Sequence, residues 1–238
     1  MLSIEMKKLK LRTLLLTVLI IPLLANIFGV LNYKGNIEVL TNGWQSLWTQ
    51  VSLFYFMFFL IPLIGIVVSS LWSVEHKAGL KLIRTSPENN INFVVAKAFI
   101  AFVIVAIAQL FFLGLFISFG KIVCDLPIVD FTIYLYYIGF SIILSVPIIF
   151  MTSALSIKIK SLSIVVLISV GISIFGFMLC AQNIFPLLNN IIAISNLALK
   201  MNNFSYIYIN EIFYILLIGI IEIIVFLKMS RKFLNYES

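Results

Sequence analysis

A single histidine, two cysteines and nine carboxylates are the side chains with which this sequence could do chemistry. Their spacing allows little. With His76 the sole histidine, no His-Glu-x-x-His zinc site exists, and Cys124 and Cys180 cannot complete a four-ligand metal site. A phosphate-cradling loop requires two glycines separated by four residues and followed by lysine and a hydroxyl residue. The nearest string, Gly114-Leu115-Phe116-Ile117-Ser118-Phe119-Gly120-Lys121-Ile122, has one residue too many and an isoleucine where magnesium needs the hydroxyl. Nucleotide hydrolysis by that device is excluded, and no catalytic residue, metal site or cofactor is expected on this chain. Cys124 and Cys180 both fall toward the outer face, where a disulfide and inert packing of two thiols are both open.

These groups sit in a chain of 238 residues that is 63% hydrophobic and 11% charged, with a mean hydropathy of +1.18. A soluble domain is about half apolar and about a quarter charged, so the solvent here is a bilayer. Roughly 20 apolar residues cross a hydrocarbon core about 30 Å thick. Six continuous runs qualify, near residues 13–31, 51–72, 93–119, 131–157, 162–185 and 211–228. Continuity argues for helices, since barrel strands would alternate. The expected fold is an all-α integral membrane protein with six transmembrane helices in one domain over residues 1–238. The first run reads as a retained span, because Asn26 and Ile27 stand where a signal peptidase wants small residues.

Basic residues set the orientation. Lys7, Lys8, Lys10 and Arg12 precede the first span, Lys77, Lys81, Arg84 and Lys97 surround the second loop, Lys158 and Lys160 lie in the fourth, and Lys228, Arg231 and Lys232 close the chain. The opposite loops hold only Lys34, Lys121 and Lys200. This asymmetry predicts a multi-pass membrane protein with both termini cytoplasmic. Basic residues so scattered form no continuous face for nucleic acid. On the outer side, residues 186–210 are too apolar for a flexible loop and are expected to lie in the interface or dip back as short helices. Trp44, Trp48, Tyr206 and Tyr208 fit there as interface aromatics. Within the spans, Glu222 and Gln109 are the notable polar side chains. One carboxylate with no intramembrane basic partner visible in sequence is thin support for ion-driven transport, so Glu222 is expected to be structural.

The loop after the second span, about residues 73–90, is unlike the others. A helix over 75–85 would gather Lys77, Lys81 and Arg84 on one face, with Ser86 and Pro87 as its stop. Gly79 weakens such a helix by about 1 kcal/mol relative to alanine. The segment could rest on anionic headgroups, or it could present Glu75, His76 and the basic stripe to a soluble partner.

The run Asn42-Gly43-Trp44-Gln45-Ser46-Leu47-Trp48, the aromatic second span with Pro62, and the closing Glu75-His76-Lys77 and Thr85-Ser86-Pro87 resemble the permease subunits of type-2 ABC exporters. The likeness is strongest to permeases of lantibiotic-protection and bacitracin-type self-immunity systems. It implies a non-enzymatic subunit that pairs with itself or a sister permease and docks the coupling helix between helices 2 and 3 on a separate ATPase, which binds the ATP and magnesium. It also implies a membrane-active peptide, or another amphipathic molecule, as cargo. The implied coupling residues are Glu75, His76, Lys77, Lys81, Arg84, Thr85, Ser86 and Pro87. Two other classes compete with this reading. A membrane enzyme would need clustered histidines or carboxylates, which the sequence lacks; a non-transporting tether for a cytoplasmic partner would use the same loop.

The orientation is testable by cysteine labelling. In a background without the native cysteines, an impermeant reagent added outside should label Lys34→Cys and Lys200→Cys but not Lys81→Cys or Lys160→Cys. Outside labelling of position 81 would reverse the assignment.

Overall fold

A bilayer offers no water to backbone groups, so each long apolar run must close its hydrogen bonds internally as a helix. The computed structural model describes residues 5, 11–78, 80, 83, 90–182 and 190–236. Six helices among them are long and apolar enough to span: α1 (Leu11–Gly35), α2 (Trp44–Lys77), α3 (Asn90–Ile122), α4 (Thr132–Lys158), α5 (Leu162–Ala181) and α7 (Ile209–Tyr236). A shorter helix, α6 (Asn190–Asn202), precedes the last. The described residues contain no strand. The all-α fold with six spanning helices is the one the sequence predicts.

The second helix organises the others. It packs against α1, α3, α4, α5 and α6, and it is the most buried span, whereas α7 is the least. Its start at Trp44 is set by Gly43, which takes φ +50°, a region that disfavours residues with a Cβ. The Asn42 N–H donates to Ser46 Oγ at 3.1 Å, closing the turn. Further along, Tyr55–Phe59 widens into a π-helical turn just before Pro62, a residue with no N–H to give. The Leu60 N–H accordingly reaches back to the Tyr55 carbonyl. The hydroxyl of Ser173 on α5 donates to the Met57 carbonyl within this turn.

Trp44 and Trp48 are not interface aromatics. Trp48 is fully buried and Trp44 is 5% exposed. Trp48 meets Phe116 and Tyr134 edge-on, each at 4.9 Å between centroids, and the Trp44 indole N–H donates to the Pro127 carbonyl. Both fall on the inward stripe of α2 with Leu47 and Val51, at helical spacing. Tyr206 and Tyr208 are exposed, as the sequence suggests. The segment before the last span does dip inward: Ile194, Leu197, Ala198 and Met201 of α6 are buried, at positions i, i+3, i+4 and i+7 of one helix face. Residues 183–189 lie outside the described residues. Cys124 and Cys180 are free thiols.

Gly120 of α3 lets Trp44 sit where it does, since a Cβ there would overlap the indole ring. Gly120→Ala should therefore destabilise the protein by about 1–3 kcal/mol through overpacking. Gly114, whose Cβ would meet nothing within 4 Å, should accept alanine with no loss. Thermal unfolding in detergent compares the two; equal midpoints would contradict this packing.

Candidate functional site at the Glu75 end of the second helix

Helix α2 ends at Lys77, with Ala78 as its cap. The Leu80 N–H returns to the Glu75 carbonyl at 2.9 Å, the bond that closes a Schellman-type terminus. Leu80 has φ +57° and cannot continue a right-handed helix. The continuous helix expected over 75–85 is thus not formed: Glu75, His76 and Lys77 are the last turn of the spanning helix itself. Leu80 and Ile83 are buried, turning the chain back onto the protein. Lys81, Arg84, Thr85, Ser86 and Pro87 lie outside the described residues.

The three residues of that last turn face different ways. Lys77 is exposed. His76 is half-buried, its Nε2 2.6 Å from the Ser156 carbonyl. A carbonyl only accepts, so Nε2 is the donor. Ser156 lies within the last four residues of α4, whose carbonyls have no partner inside the helix, so His76 satisfies one of them. Glu75 does not face a soluble partner as expected, because it is 1% exposed.

Glu75 instead joins a buried ion cluster. The ammonium of Lys97 donates to Glu75 Oε1 at 3.1 Å, to the Leu71 carbonyl at 3.3 Å and to Glu5 Oε2. All three donors of the lysine are engaged by these contacts. The Trp72 ring lies 5.4 Å from the ammonium. Taking ions out of water costs several kcal/mol each, so such a cluster stands only when charge and hydrogen bonds compensate together. Lys97 and Glu5 were not visible as site residues in the sequence. The available signal was Lys97 alone in the apolar run Val94-Val95-Ala96-Lys97-Ala98-Phe99, a charge inside a span.

Nearby contacts bring in α7. Asn90 of α3 donates to Asn235 of α7 at 2.9 Å, and the Lys158 ammonium of α4 lies 5.4 Å from the Phe233 ring. Gln109 belongs elsewhere, deep between α3 and α4. Its Nε2 donates to Ser145 Oγ at 3.0 Å, and its Oε1 accepts from Ser141 Oγ. Glu222 is half-buried on α7 and engaged rather than free. Among the described residues, no group of three His, Cys, Asp or Glu side chains converges as a metal site would need.

Two cavities lie away from this end. A cleft of about 480 Å³ opens beside the start of α2, lined by Asn42, Trp44, Gln45, Asp130, Tyr134 and Phe204 among others. Hydrogen bonds from the Thr132 hydroxyl and N–H hold the Asp130 carboxyl below the ordinary carboxylate range. A groove of about 210 Å³ between α4 and α7 is aliphatic throughout, with Pro147 and Gly219 in its walls.

A family model described as "ABC-2 family transporter protein" matches residues 1–179, which include Glu5, Glu75, His76, Lys97 and Ser156. The chain belongs to the ABC-2 transporter family. It is a multi-pass membrane protein and a membrane permease subunit of an ABC transporter. No curated protein matches the chain, and no solved structure does. Within this ABC-2 permease the Glu75 cluster is the convergence of helix ends, and Gln109 is a cross-brace.

Gln109→Leu should lower stability by about 1 kcal/mol, the ordinary worth of a hydrogen bond between membrane helices. Transport per folded molecule should not change. Lost transport at undiminished thermal stability would place Gln109 in the cargo path instead.

Proposed function

We propose that this permease is the membrane half of an ATP-driven exporter that expels a membrane-active peptide, of lantibiotic or similar amphipathic kind, and so protects the cell that makes or meets it. ATP and magnesium are held by a separate ATPase subunit, and a second permease, identical or a sister, completes the membrane unit in a bacterial plasma membrane with both termini inside. The observation that carries this reading is the last turn of α2. Lys77 is exposed there for a soluble partner, while Glu75 and His76 are tied to α3 and α4, so a push delivered to this turn reaches the membrane helices. Lys81, Arg84, Thr85, Ser86 and Pro87 complete the docking segment in this proposal.

The cargo class follows from desolvation. From Phe213 to Val225 the exposed side chains of α7 are aliphatic or aromatic, including Ile220 and Ile224, and the α4–α7 groove offers no polar side chain. A sugar, nucleotide or ion would lose its hydration there without compensation, at several kcal/mol per buried charge. An amphipathic peptide entering from the bilayer loses little.

Expressing the permease with its ATPase and any sister permease in a sensitive host, then measuring survival against lantibiotic and bacitracin-type peptides, tests the reading. Protection that disappears with an ATPase-dead subunit is expected. No protection against any such peptide by a correctly assembled complex would refute the cargo assignment.

A further inference from the structure

We propose that Lys97 is a positioning residue for energy coupling, an attachment point on α3 that keeps hold of both the last turns of α2 and Glu5. This rests on the reading of the chain as an ATP-driven permease. Its basis is which parts of the chain meet at one ammonium. Glu75 and Leu71 lie on α2, Lys97 on α3, and Glu5 in the segment before α1. In sequence, Glu5 and Lys97 are 92 residues apart and Glu75 and Lys97 are 22 apart. The Lys97, Glu5 and Glu75 side chains are 3%, 2% and 1% exposed.

The geometry suits transmission better than packing alone. Apolar side chains of similar volume would fill the same space without the cost of burying ions. What they would not supply is a long-range, exchangeable attachment. An ammonium on a flexible stem can swing between two carboxylates without losing its compensation. It can therefore stay bound while the end of α2 shifts relative to Glu5. The exposed Lys77 is two residues beyond Glu75, so a displacement delivered there reaches the cluster within a single helical turn. From Lys97 it continues along α3, whose Phe112 and Phe116 contact Trp48 near the opposite end of α2.

The test uses the full-length permease reconstituted with its partner ATPase in proteoliposomes. It reads ATP hydrolysis relative to the ATPase alone, together with co-purification and the thermal midpoint. Lys97→Met should still co-purify with the ATPase, but its stimulation of hydrolysis should fall by at least about tenfold, since the bonds to both Glu5 and Glu75 are lost and even one charge-assisted hydrogen bond biasing two arrangements is worth that much. Lys97→Arg should restore most of the stimulation. A lower thermal midpoint with stimulation per assembled complex unchanged would make the lysine merely structural and overturn the proposal. If Lys97→Met does not accumulate, Glu5→Gln keeps the side chain's shape and leaves Glu75 with Lys97. Reduced stimulation by this variant supports the proposal, and unchanged stimulation overturns it. A parent permease that neither binds nor stimulates the ATPase refutes the permease reading itself, an outcome distinct from parent-like variants in a working complex.

Discussion

Because lipid cannot hydrogen-bond, a helix facing it must be regular, and only a helix surrounded by protein can be irregular at tolerable cost. Helix α2 is the surrounded one, and its irregularities are satisfied by its neighbours. The π turn before Pro62 presents the Met57 carbonyl, which receives the Ser173 hydroxyl from α5. At one end Trp44 lies against Gly120 and donates to the Pro127 carbonyl. At the other, Glu75 is compensated by Lys97 and His76 reaches the end of α4. These contacts fix α3, α4 and α5 around α2. The hydroxyls of Ser141, Ser145, Thr152 and Ser153 on α4 donate to carbonyls of their own helix, so its polar residues enter the apolar interior satisfied.

Position along a span separates the basic residues into two kinds. Lys77 and Lys158 are exposed at helix ends, as residues that set orientation are expected to be. Lys97 is buried and spends its charge on holding helices together. It lies near the same ends of α2 and α3 as those charges, so a count by loop groups it with them and hides its contacts. The polar residues inside the bundle divide in the same way. Gln109 and Asn26 are buried and hydrogen-bonded across helices, Asn26 donating to the Phe112 carbonyl at 3.3 Å, and both serve as braces.

Hydropathy made the six spans legible because each must be continuously apolar to insert. It could not place the start of α2 at Trp44, because residues 44–50 include Gln45, Ser46, Thr49 and Gln50 and only tertiary contacts bury that turn. The same blindness made Trp44 and Trp48 read as interface aromatics. Indoles are common at membrane surfaces, and nothing local reveals that Phe116 and Tyr134 enclose them. The site was half legible. Glu75, His76 and Lys77 stood out as a charged triplet after an apolar run, yet the inward turn of Glu75 depends on Lys97 and Glu5, partners distant in sequence. The end of the helix at Lys77 follows from the left-handed Leu80, a conformation that a leucine does not advertise.

All three tryptophans of the chain, Trp44, Trp48 and Trp72, lie on α2, and none is more than 5% exposed. Tryptophan fluorescence, excited selectively over tyrosine, therefore reports on this helix alone. Quenching by brominated lipids in proteoliposomes tests most directly whether α2 is the enclosed centre of the molecule. The account predicts weak quenching by lipids brominated at any depth along the acyl chain, and weak quenching by aqueous iodide. Strong quenching by a mid-chain or interfacial bromine would place α2 at the lipid boundary and contradict it.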